Sequence, residues 1–280
     1  MRGDGVYRVV NGLGRASLRA LRLDVRWTGV ERVPLAGPAI LAANHASFPD
    51  FVFVEKAAVT RGRYVRFMTR GDVWEVPVVP WFMDAMGHVP VDRAVPVHAY
   101  LRARRLLQRG EVVCGFPEAG ISYSYTVRPL MSGLVALARD TGVPVVPVAI
   151  WGTQRILSVG DPAPPFDWTR GRRADLAFGD PIHVGPDDDV VVRTRELGHA
   201  LTDLLEGLQR LPHHRPRPGE VATWYPHHLG GHAPDRHHAV HLDEVPFNAV
   251  LPTWGPDLGA YAPRSVPDPT DQLDATDRTD

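Results

Sequence analysis

Between two apolar runs the chain carries His45 and Asp50, in the sequence Asn-His-Ala-Ser-Phe-Pro-Asp. The run before this segment, residues 38–43, predicts a buried strand, and the run after it, residues 51–59, predicts a helix. Pro49 suits the first turn of that helix, where its missing N–H costs nothing. His45 then lies in the preceding turn, where its ring can meet the Asp50 carboxylate. A neutral histidine oriented by a carboxylate is suited to act as a general base at about pH 7.

Two further polar side chains follow predicted strands in the same way. Arg93 ends the strand-like segment 87–93, and Glu118 follows the apolar run 112–116. In open α/β sheets, ligands gather at the carboxyl ends of the strands. We therefore expect His45, Arg93 and Glu118 to meet at one edge of a sheet.

The elements that must position these residues alternate between short apolar strands and amphipathic helices. This order predicts an α/β fold, with a mixed, mostly parallel sheet and helices on both faces. Strands are predicted over residues 25–30, 39–43, 64–68, 87–93, 112–116, 143–151 and 174–178. Helices are predicted over residues 6–23, 51–59, 97–108, 130–139 and 190–211.

The first predicted helix, residues 6–23, is amphipathic but carries two glycines. Its predicted apolar face consists of Val6, Val10, Leu13, Ser17, Ala20 and Leu21. Four arginines supply positive charge elsewhere on the helix. Two interpretations are open for this N-terminal segment, residues 1–24. It is an interfacial helix on anionic lipid, or an ordinary helix packed on the domain, which the segment by itself slightly favours.

Charge and cysteine content narrow the class of protein. The 280 residues have a net charge of -1, but residues 212–280 carry five arginines and ten acids. The rest of the chain is near +4, without the concentrated basic face of a nucleic-acid binder. The single cysteine, Cys114, cannot form an internal disulfide, which favours a reducing compartment. Since no run of about 18 apolar residues occurs, a protein of this kind acting on lipid would sit on the membrane surface.

The composition changes after residue 211. Residues 212–261 form an extension rich in proline and histidine, and residues 262–280 are acidic and predicted to be disordered. Two histidine groups there have ligand-like spacing, His227-His228-x3-His232 and His237-His238-x-x-His241. No cysteine accompanies them, so we predict no metal site and favour a polar extension wrapping the domain. Trp224, Tyr225 and Trp254 indicate that parts of it pack on the body.

Four ordered blocks resemble the glycerolipid acyltransferases of the lysophosphatidic acid acyltransferase type. The blocks are an Asn-His-x4-Asp box at 44–50, a Gly-x-x-x-Val-Asp-Arg segment at 87–93, a Phe-Pro-Glu-x3-Ser loop at 116–122 and an apolar run with prolines at 143–150. The similarity extends over residues 20–210. It departs in the third block, where the family's Gly-Thr-Arg is replaced by Ala119-Gly120-Ile121. The missing arginine would help to hold the acceptor's phosphate.

The resemblance implies an enzyme whose acyltransferase domain covers residues 25–211. Such an enzyme transfers an acyl chain from acyl-CoA or acyl carrier protein to the free hydroxyl of a lysophospholipid, here expected to be 1-acylglycerol 3-phosphate. His45 would be the catalytic base and Asp50 its partner, without a cofactor. The implied substrate-binding residues are Arg93, Glu118, Gly120 and Ser122. The expected location is peripheral, on the cytoplasmic face of the cell membrane.

The sequence leaves alternatives to this prediction open. The altered third block leaves open a different lipid acceptor, with Arg128 and Arg155 as further candidate phosphate ligands beside Arg93. A catalytically inactive lipid-binding protein of the same fold is a second alternative, which the intact His45 and Asp50 argue against. A serine hydrolase is disfavoured, because the Gly-x-Ser-x-Gly elbow is absent around Ser122 and Ser124.

Overall fold

A single sheet of seven strands runs through the part of the chain that the computed structural model describes, residues 3–160, 163–243 and 251–257. The strands are β1 Asp24–Thr28, β2 Ala39–Ala43, β3 Val65–Arg70, β4 Val89–Val91, β5 Val112–Gly115, β6 Val145–Trp151 and β7 Arg173–Phe178. Their order in the sheet is β1-β7-β6-β2-β5-β3-β4. All neighbouring pairs are parallel except β6 and β7. The predicted mixed, mostly parallel sheet is confirmed.

Seven α-helices accompany the sheet within the described residues. They are α1 Gly3–Ala20, α2 Asp50–Val59, α3 Val79–Ala85, α4 Val97–Gln108, α5 Gly133–Thr141, α6 Val190–Gln209 and α7 Arg236–Leu242. Short 3-10 turns span Val30–Arg32, Gly71–Glu75, Thr153–Arg155, Pro212–His214 and His227–Leu229.

The central strand β2 shows that both faces of the sheet are covered. All five of its residues are buried, and alternate side chains enter different apolar clusters. Ile40 lies in the cluster that includes Leu107 of α4 and Leu201 of α6. Leu41 lies in the opposite cluster, with Phe53 of α2 and Leu18 of α1. Since side chains of a strand alternate between faces, helices pack on both sides, as predicted.

The helix predicted over residues 130–139 begins later, at Gly133. Leu130 is held extended, because its N–H donates to Trp254 O at 2.8 Å and its carbonyl accepts from Thr253 N–H at 2.9 Å. This bridge brings the end of the C-terminal extension back onto the body.

The extension packs on the domain through the aromatic residues that the sequence singled out. Tyr225 lies against Trp151, with 6.2 Å between ring centroids. Trp254 covers Gly198 of α6 so closely that a Cβ at Gly198 would overlap the indole ring. Helix α7 had no counterpart among the predicted elements. The predicted disordered tail, residues 262–280, lies outside the described residues, as do residues 244–250 and 258–261.

Helix α1 buries a different face from the predicted one. Tyr7 and Leu18 are buried, whereas Leu13 is 65% exposed. The reason is a polar anchor, since Asn11 Nδ2 donates to Glu55 Oε1 at 2.8 Å. Tyr7 donates its hydroxyl hydrogen to Val65 O, beside Glu55 Oε2. A pattern of apolar residues cannot reveal a helix face that is fixed by buried hydrogen bonds.

Among the described helices, none combines the length and the apolar character that a membrane span requires.

The buried Glu55 carboxyl that anchors α1 predicts a pH-dependent stability. Burial raises the pKa of Glu55 from 4.5 to about 7. The folded protein therefore binds this proton more tightly than the unfolded chain. Its stability falls as the pH rises from 4.5 through about 7. The loss in the free energy of unfolding over this range is about 3 kcal/mol. Glu55→Gln should flatten the fall in melting temperature between about pH 5 and pH 8, measured by calorimetry.

The matched control is Glu31→Gln, which changes a carboxyl whose side chain is 69% exposed. This variant should keep the slope of the parent protein. A Glu55→Gln variant with an unchanged slope would show that other groups set the pH dependence.

Candidate active site

The Asp50 carboxylate organises the turn between β2 and α2. Its side chain is fully buried at the first residue of α2, where the helix dipole favours a negative charge. Oδ2 accepts from the Ala46 N–H at 2.8 Å and from the Ser47 N–H at 2.9 Å. Oδ1 accepts from the Thr153 hydroxyl at 2.6 Å. The chain therefore folds back on this one carboxylate.

His45 completes the set of groups around Asp50. Its Nδ1 lies 3.0 Å from Asp50 Oδ2. An ionised carboxylate can only accept, so Nδ1 carries the proton and Nε2 keeps the basic lone pair. The ring stacks on Phe116 with 4.2 Å between centroids, and the side chain is 19% exposed. His45 is thus oriented by a buried partner while it stays accessible to a substrate.

The loop after β6 fixes this turn from the other side. The Ser47 hydroxyl lies 3.0 Å from Thr153 O and 2.8 Å from Leu157 O. The Ser158 hydroxyl donates to Ala46 O at 2.7 Å. The sequence prediction missed Thr153. Its position two residues after a predicted strand could have found it, because the loops at strand carboxyl ends form the site.

Asn44, the first residue of the Asn-His-x4-Asp box, has a structural role. Its Oδ1 accepts from the Ile150 N–H at 2.6 Å, and its Nδ2 donates to Ile150 O at 3.3 Å. The side chain thereby continues the pairing of β2 with β6 beyond the end of β2. It fixes the point at which His45 leaves the sheet.

Glu118 is buried, and both of its carboxylate oxygens accept backbone hydrogen bonds. Oε1 accepts from the His45 N–H and Oε2 from the Arg128 N–H, each at 2.7 Å. Burial raises the pKa of Glu118 to about 8, and the two backbone donors with the Arg128 and Arg236 guanidinium groups oppose that rise. Each of its two oxygens accepts one backbone hydrogen bond in this structure, and the role of Glu118 as a substrate ligand stays a prediction. Its carboxylate ties the His45 turn to the loop after β5.

Ser122 and Gly120 also serve the shape of this loop. The Ser122 N–H donates to His45 O at 3.1 Å, and its buried hydroxyl shares a hydrogen bond of 3.1 Å with Ser124. A Cβ at Gly120 would overlap the Arg128 guanidinium. Both residues were predicted as substrate ligands. These roles stay predictions. In this structure the Ser122 hydroxyl is buried against Ser124, and Gly120 leaves room for the Arg128 guanidinium.

Ala119 stands where the family motif has glycine, and its backbone is left-handed, with φ of +55°. This conformation costs a residue with a Cβ about 1–2 kcal/mol. The loop therefore keeps the motif's backbone shape in spite of the substitution. Surrounding contacts must hold it there.

Arg93 follows β4 and lies at the rim of the same loop. Its Nη2 donates to Ala119 O at 3.3 Å, and the residue is half-buried. The predicted meeting of His45, Arg93 and Glu118 at one edge of the sheet is confirmed by these hydrogen bonds. The chemical roles of His45, Asp50 and Arg93 stay predictions.

The other two candidate phosphate ligands are engaged elsewhere. Arg128 is 4% exposed, and its Nη1 donates to Ile121 O at 3.2 Å. Arg155 lies over the Trp224 ring, 4.0 Å from its centroid. Of the three arginines, Arg93 is best placed to receive an anionic group at the site.

One group of potential metal ligands converges within the described residues. His213 Nε2 and His214 Nε2 each lie 2.8 Å from Asp175 Oδ2. Arg173 binds the same carboxylate, with Nε 2.9 Å from Oδ2 and 3.1 Å from Oδ1. Although burial opposes it, the hydrogen bonds from His214, Arg173 and His213 lower the pKa of Asp175. We interpret the group as a hydrogen-bonded anchor of the extension on β7.

Comparison with known proteins agrees with this geometry. Residues 24–151, from the start of β1 to the end of β6, match the model of the Acyltransferase family. The chain is 32% identical over 136 residues to the chloroplastic 1-acyl-sn-glycerol-3-phosphate acyltransferase of Brassica napus, covering 47% of this chain and 38% of that protein. A 1-acyl-sn-glycerol-3-phosphate acyltransferase of Saccharomyces cerevisiae is 28% identical over 149 residues, covering 49% and 46%. The chain thus spans less than half the length of these relatives.

The solved structure of the 1-acyl-sn-glycerophosphate acyltransferase PlsC from Thermotoga maritima has a similar fold. The TM-score is 0.59 at 24% identity, covering 73% of this chain and 80% of that one. Residues 24–151 are thus similar to an Acyltransferase-family domain, and the fold is similar to that of this solved structure.

Proposed function

We propose that this protein transfers an acyl chain from a thioester donor to the free hydroxyl of a lysophospholipid, most simply 1-acylglycerol 3-phosphate. The observation that carries the proposal is the His45–Asp50 pair, with its 3.0 Å contact and a His45 side chain that is 19% exposed. The curated relatives with this acceptor in their names add support.

The proposed reaction needs one base. His45 Nε2 removes the proton from the acceptor hydroxyl while its oxygen attacks the thioester carbonyl carbon. The tetrahedral intermediate then collapses, the carbon–sulfur bond breaks, and the thiolate leaves with the proton from the imidazolium. Asp50 stabilises that imidazolium, as the carboxylate does in a Ser-His-Asp triad. Because the substrate hydroxyl takes the place of a serine, no acyl-enzyme forms.

We propose that Arg93, which follows β4, binds the acceptor's phosphate. A guanidinium can bind a phosphate through two parallel hydrogen bonds, and this would fix the neighbouring glycerol hydroxyl near His45. In the donor role we propose acyl-CoA or acyl carrier protein, with no further cofactor. Two alternatives are kept: a different lipid acceptor, because Ile121 replaces the motif's arginine, and a catalytically inactive lipid binder.

The activity is tested by mixing purified protein with lysophosphatidic acid and either acyl-CoA or acyl carrier protein thioester, and following release of the free thiol. We expect His45→Ala to lower kcat by about 1,000-fold or more, because the base is lost. Asp50→Asn should lower it by about 100-fold or more while the turn is kept. Thiol release that persists undiminished in His45→Ala would rule out this mechanism, and no release with any lysolipid would favour the lipid binder.

Arg93 is tested by comparing two acceptors, lysophosphatidic acid and monoacylglycerol, which lacks the phosphate. Arg93→Ala should raise the KM for lysophosphatidic acid by about 10-fold to 100-fold, because a charged hydrogen-bonding partner of the phosphate is lost. The KM for monoacylglycerol should not change. The matched control is Arg104→Ala on the exposed side of α4, which should leave both values unchanged. An equal effect of Arg93→Ala on both acceptors would contradict the assignment.

We further propose that the protein works peripherally, on the cytoplasmic face of the cell membrane. Helix α3 and the residues before it expose large apolar side chains: Val76 is 52% exposed, Val78 70% and Trp81 61%. Helix α1 contacts α3 and adds the exposed Val9 and Leu13, together with exposed arginines at positions 8, 15 and 19. Exposed apolar and basic side chains on these neighbouring helices suit an anionic lipid interface. The one cysteine, buried and unpaired, fits a reducing compartment.

Membrane binding is tested with vesicles of phosphatidylglycerol and phosphatidylcholine in equal parts. Trp81→Ser should weaken sedimentation with these vesicles by about tenfold, because a large apolar group is removed from the interface. Trp168→Ser is the matched control, since Trp168 is 74% exposed in the loop before β7. Equal weakening by both variants, or by neither, would contradict the assignment of this surface.

A further inference from the structure

A buried ionic cluster joins the C-terminal extension to the loop after β5. Arg236 and Asp243 lie at the two ends of α7, and Arg236 Nη1 donates to Asp243 Oδ2 at 2.6 Å. Arg128 Nε lies 3.5 Å from the same oxygen. The Arg128, Asp243 and Arg236 side chains are 4%, 5% and 1% exposed. The cluster therefore belongs to the interior, although α7 lies far outside the segment that matches the acyltransferase family.

Two sets of contacts carry this cluster to the His45 turn. The Arg128 N–H donates to Glu118 Oε2, and Glu118 Oε1 accepts from the His45 N–H. Asp243 Oδ1 also accepts from the Tyr123 N–H at 3.3 Å, in the loop that begins with Glu118. Three contacts, from Asp243 to Arg128, from Arg128 to Glu118 and from Glu118 to His45, therefore join the C-terminal end of α7 to the backbone of the proposed base.

Asp243 supplies a buried negative charge between the Arg128 and Arg236 guanidinium groups. Glu118, whose pKa burial raises to about 8, adds a second negative charge when it is ionised. Removing one partner of a buried ion pair leaves an uncompensated charge, which is strongly unfavourable in the interior. Because Gly120 has no side chain, the Arg128 guanidinium fits against the loop and donates to Ile121 O. The changed third block and the extension thus fit each other.

We propose that Asp243 and Arg236 are positioning residues for His45, acting through Arg128 and Glu118. The proposal rests on the proposed acyl transfer, in which His45 is the base. It makes the C-terminal extension a part of the active site. The extension supplies the buried charges that hold the loop after β5 against the His45 turn.

The test is Asp243→Asn, which keeps the side-chain size and removes the charge. Its kcat should fall about tenfold or more, while the KM for acceptor and donor stay within about threefold, since the base is misplaced and the substrates are not contacted. Amide hydrogen exchange at His45 and Arg128 should become faster. Asp235→Asn is the matched control: Asp235 caps the same helix by accepting from the His238 N–H, a contact that asparagine also makes.

Asp243→Asn with unchanged kcat and unchanged exchange would overturn the proposal. An equal loss in Asp235→Asn would also overturn it, because a charge change anywhere on α7 would then suffice. If Asp243→Asn fails to fold, Gly120→Ala replaces it, since its Cβ displaces the Arg128 guanidinium from the loop. Gly133→Ala, whose Cβ has open space, is its control. A Gly120→Ala protein with the parent's kcat would overturn the proposal as well.

Failure of the proposed function gives a different result. If the parent protein releases no thiol with any acceptor, the acyl transfer is wrong, and amide exchange alone decides the positioning. Faster exchange at His45 and Arg128 in Asp243→Asn, and not in Asp235→Asn, would still support the role of the cluster. Unchanged exchange would overturn it.

Discussion

The structure of the site depends on one buried negative charge, that of Asp50. Four donors converge on its two oxygens: the backbone N–H groups of Ala46 and Ser47, the imidazole of His45 and the hydroxyl of Thr153. A buried carboxylate is tolerated only when such donors replace its hydration. The requirement to satisfy Asp50 therefore dictates the path of the turn, and the path of the turn places His45.

The rest of the site can be understood as support for that turn. Asn44 continues the β2–β6 pairing to the point where His45 begins, and Glu118 binds the His45 N–H from the neighbouring loop. Parallel strands bring these loops to one edge of the sheet, where their backbone groups need partners. Few side chains remain for the chemistry. This arrangement fits the proposed reaction, in which the acceptor hydroxyl is the nucleophile and the protein contributes a base and an anion site.

The third block shows how a changed motif can keep its shape. Ala119 holds a left-handed backbone that glycine would adopt without cost, and Gly120 leaves room for the Arg128 guanidinium. The guanidinium comes from later in the same loop and is balanced by Asp243 of the extension. Compared with the family motif, residues 119–121 carry three substitutions. In the folded protein this loop and the Arg128 guanidinium pack together with the end of α7, more than a hundred residues further along the chain.

The sequence by itself determined the mixed, mostly parallel sheet, most of the helices and the pairing of His45 with Asp50. Apolar periodicity and proline position are local properties, and the two site residues lie five positions apart. Tertiary structure alone decided the buried face of α1, the engagement of Glu118 and Ser122 within the protein, and the place of α7. The physical reason is that buried hydrogen bonds and ion pairs join residues distant in sequence, such as His45 with Glu118, 73 positions apart, and Asp50 with Thr153, 103 positions apart. Which polar groups become partners is settled only when burial forces each of them to find one.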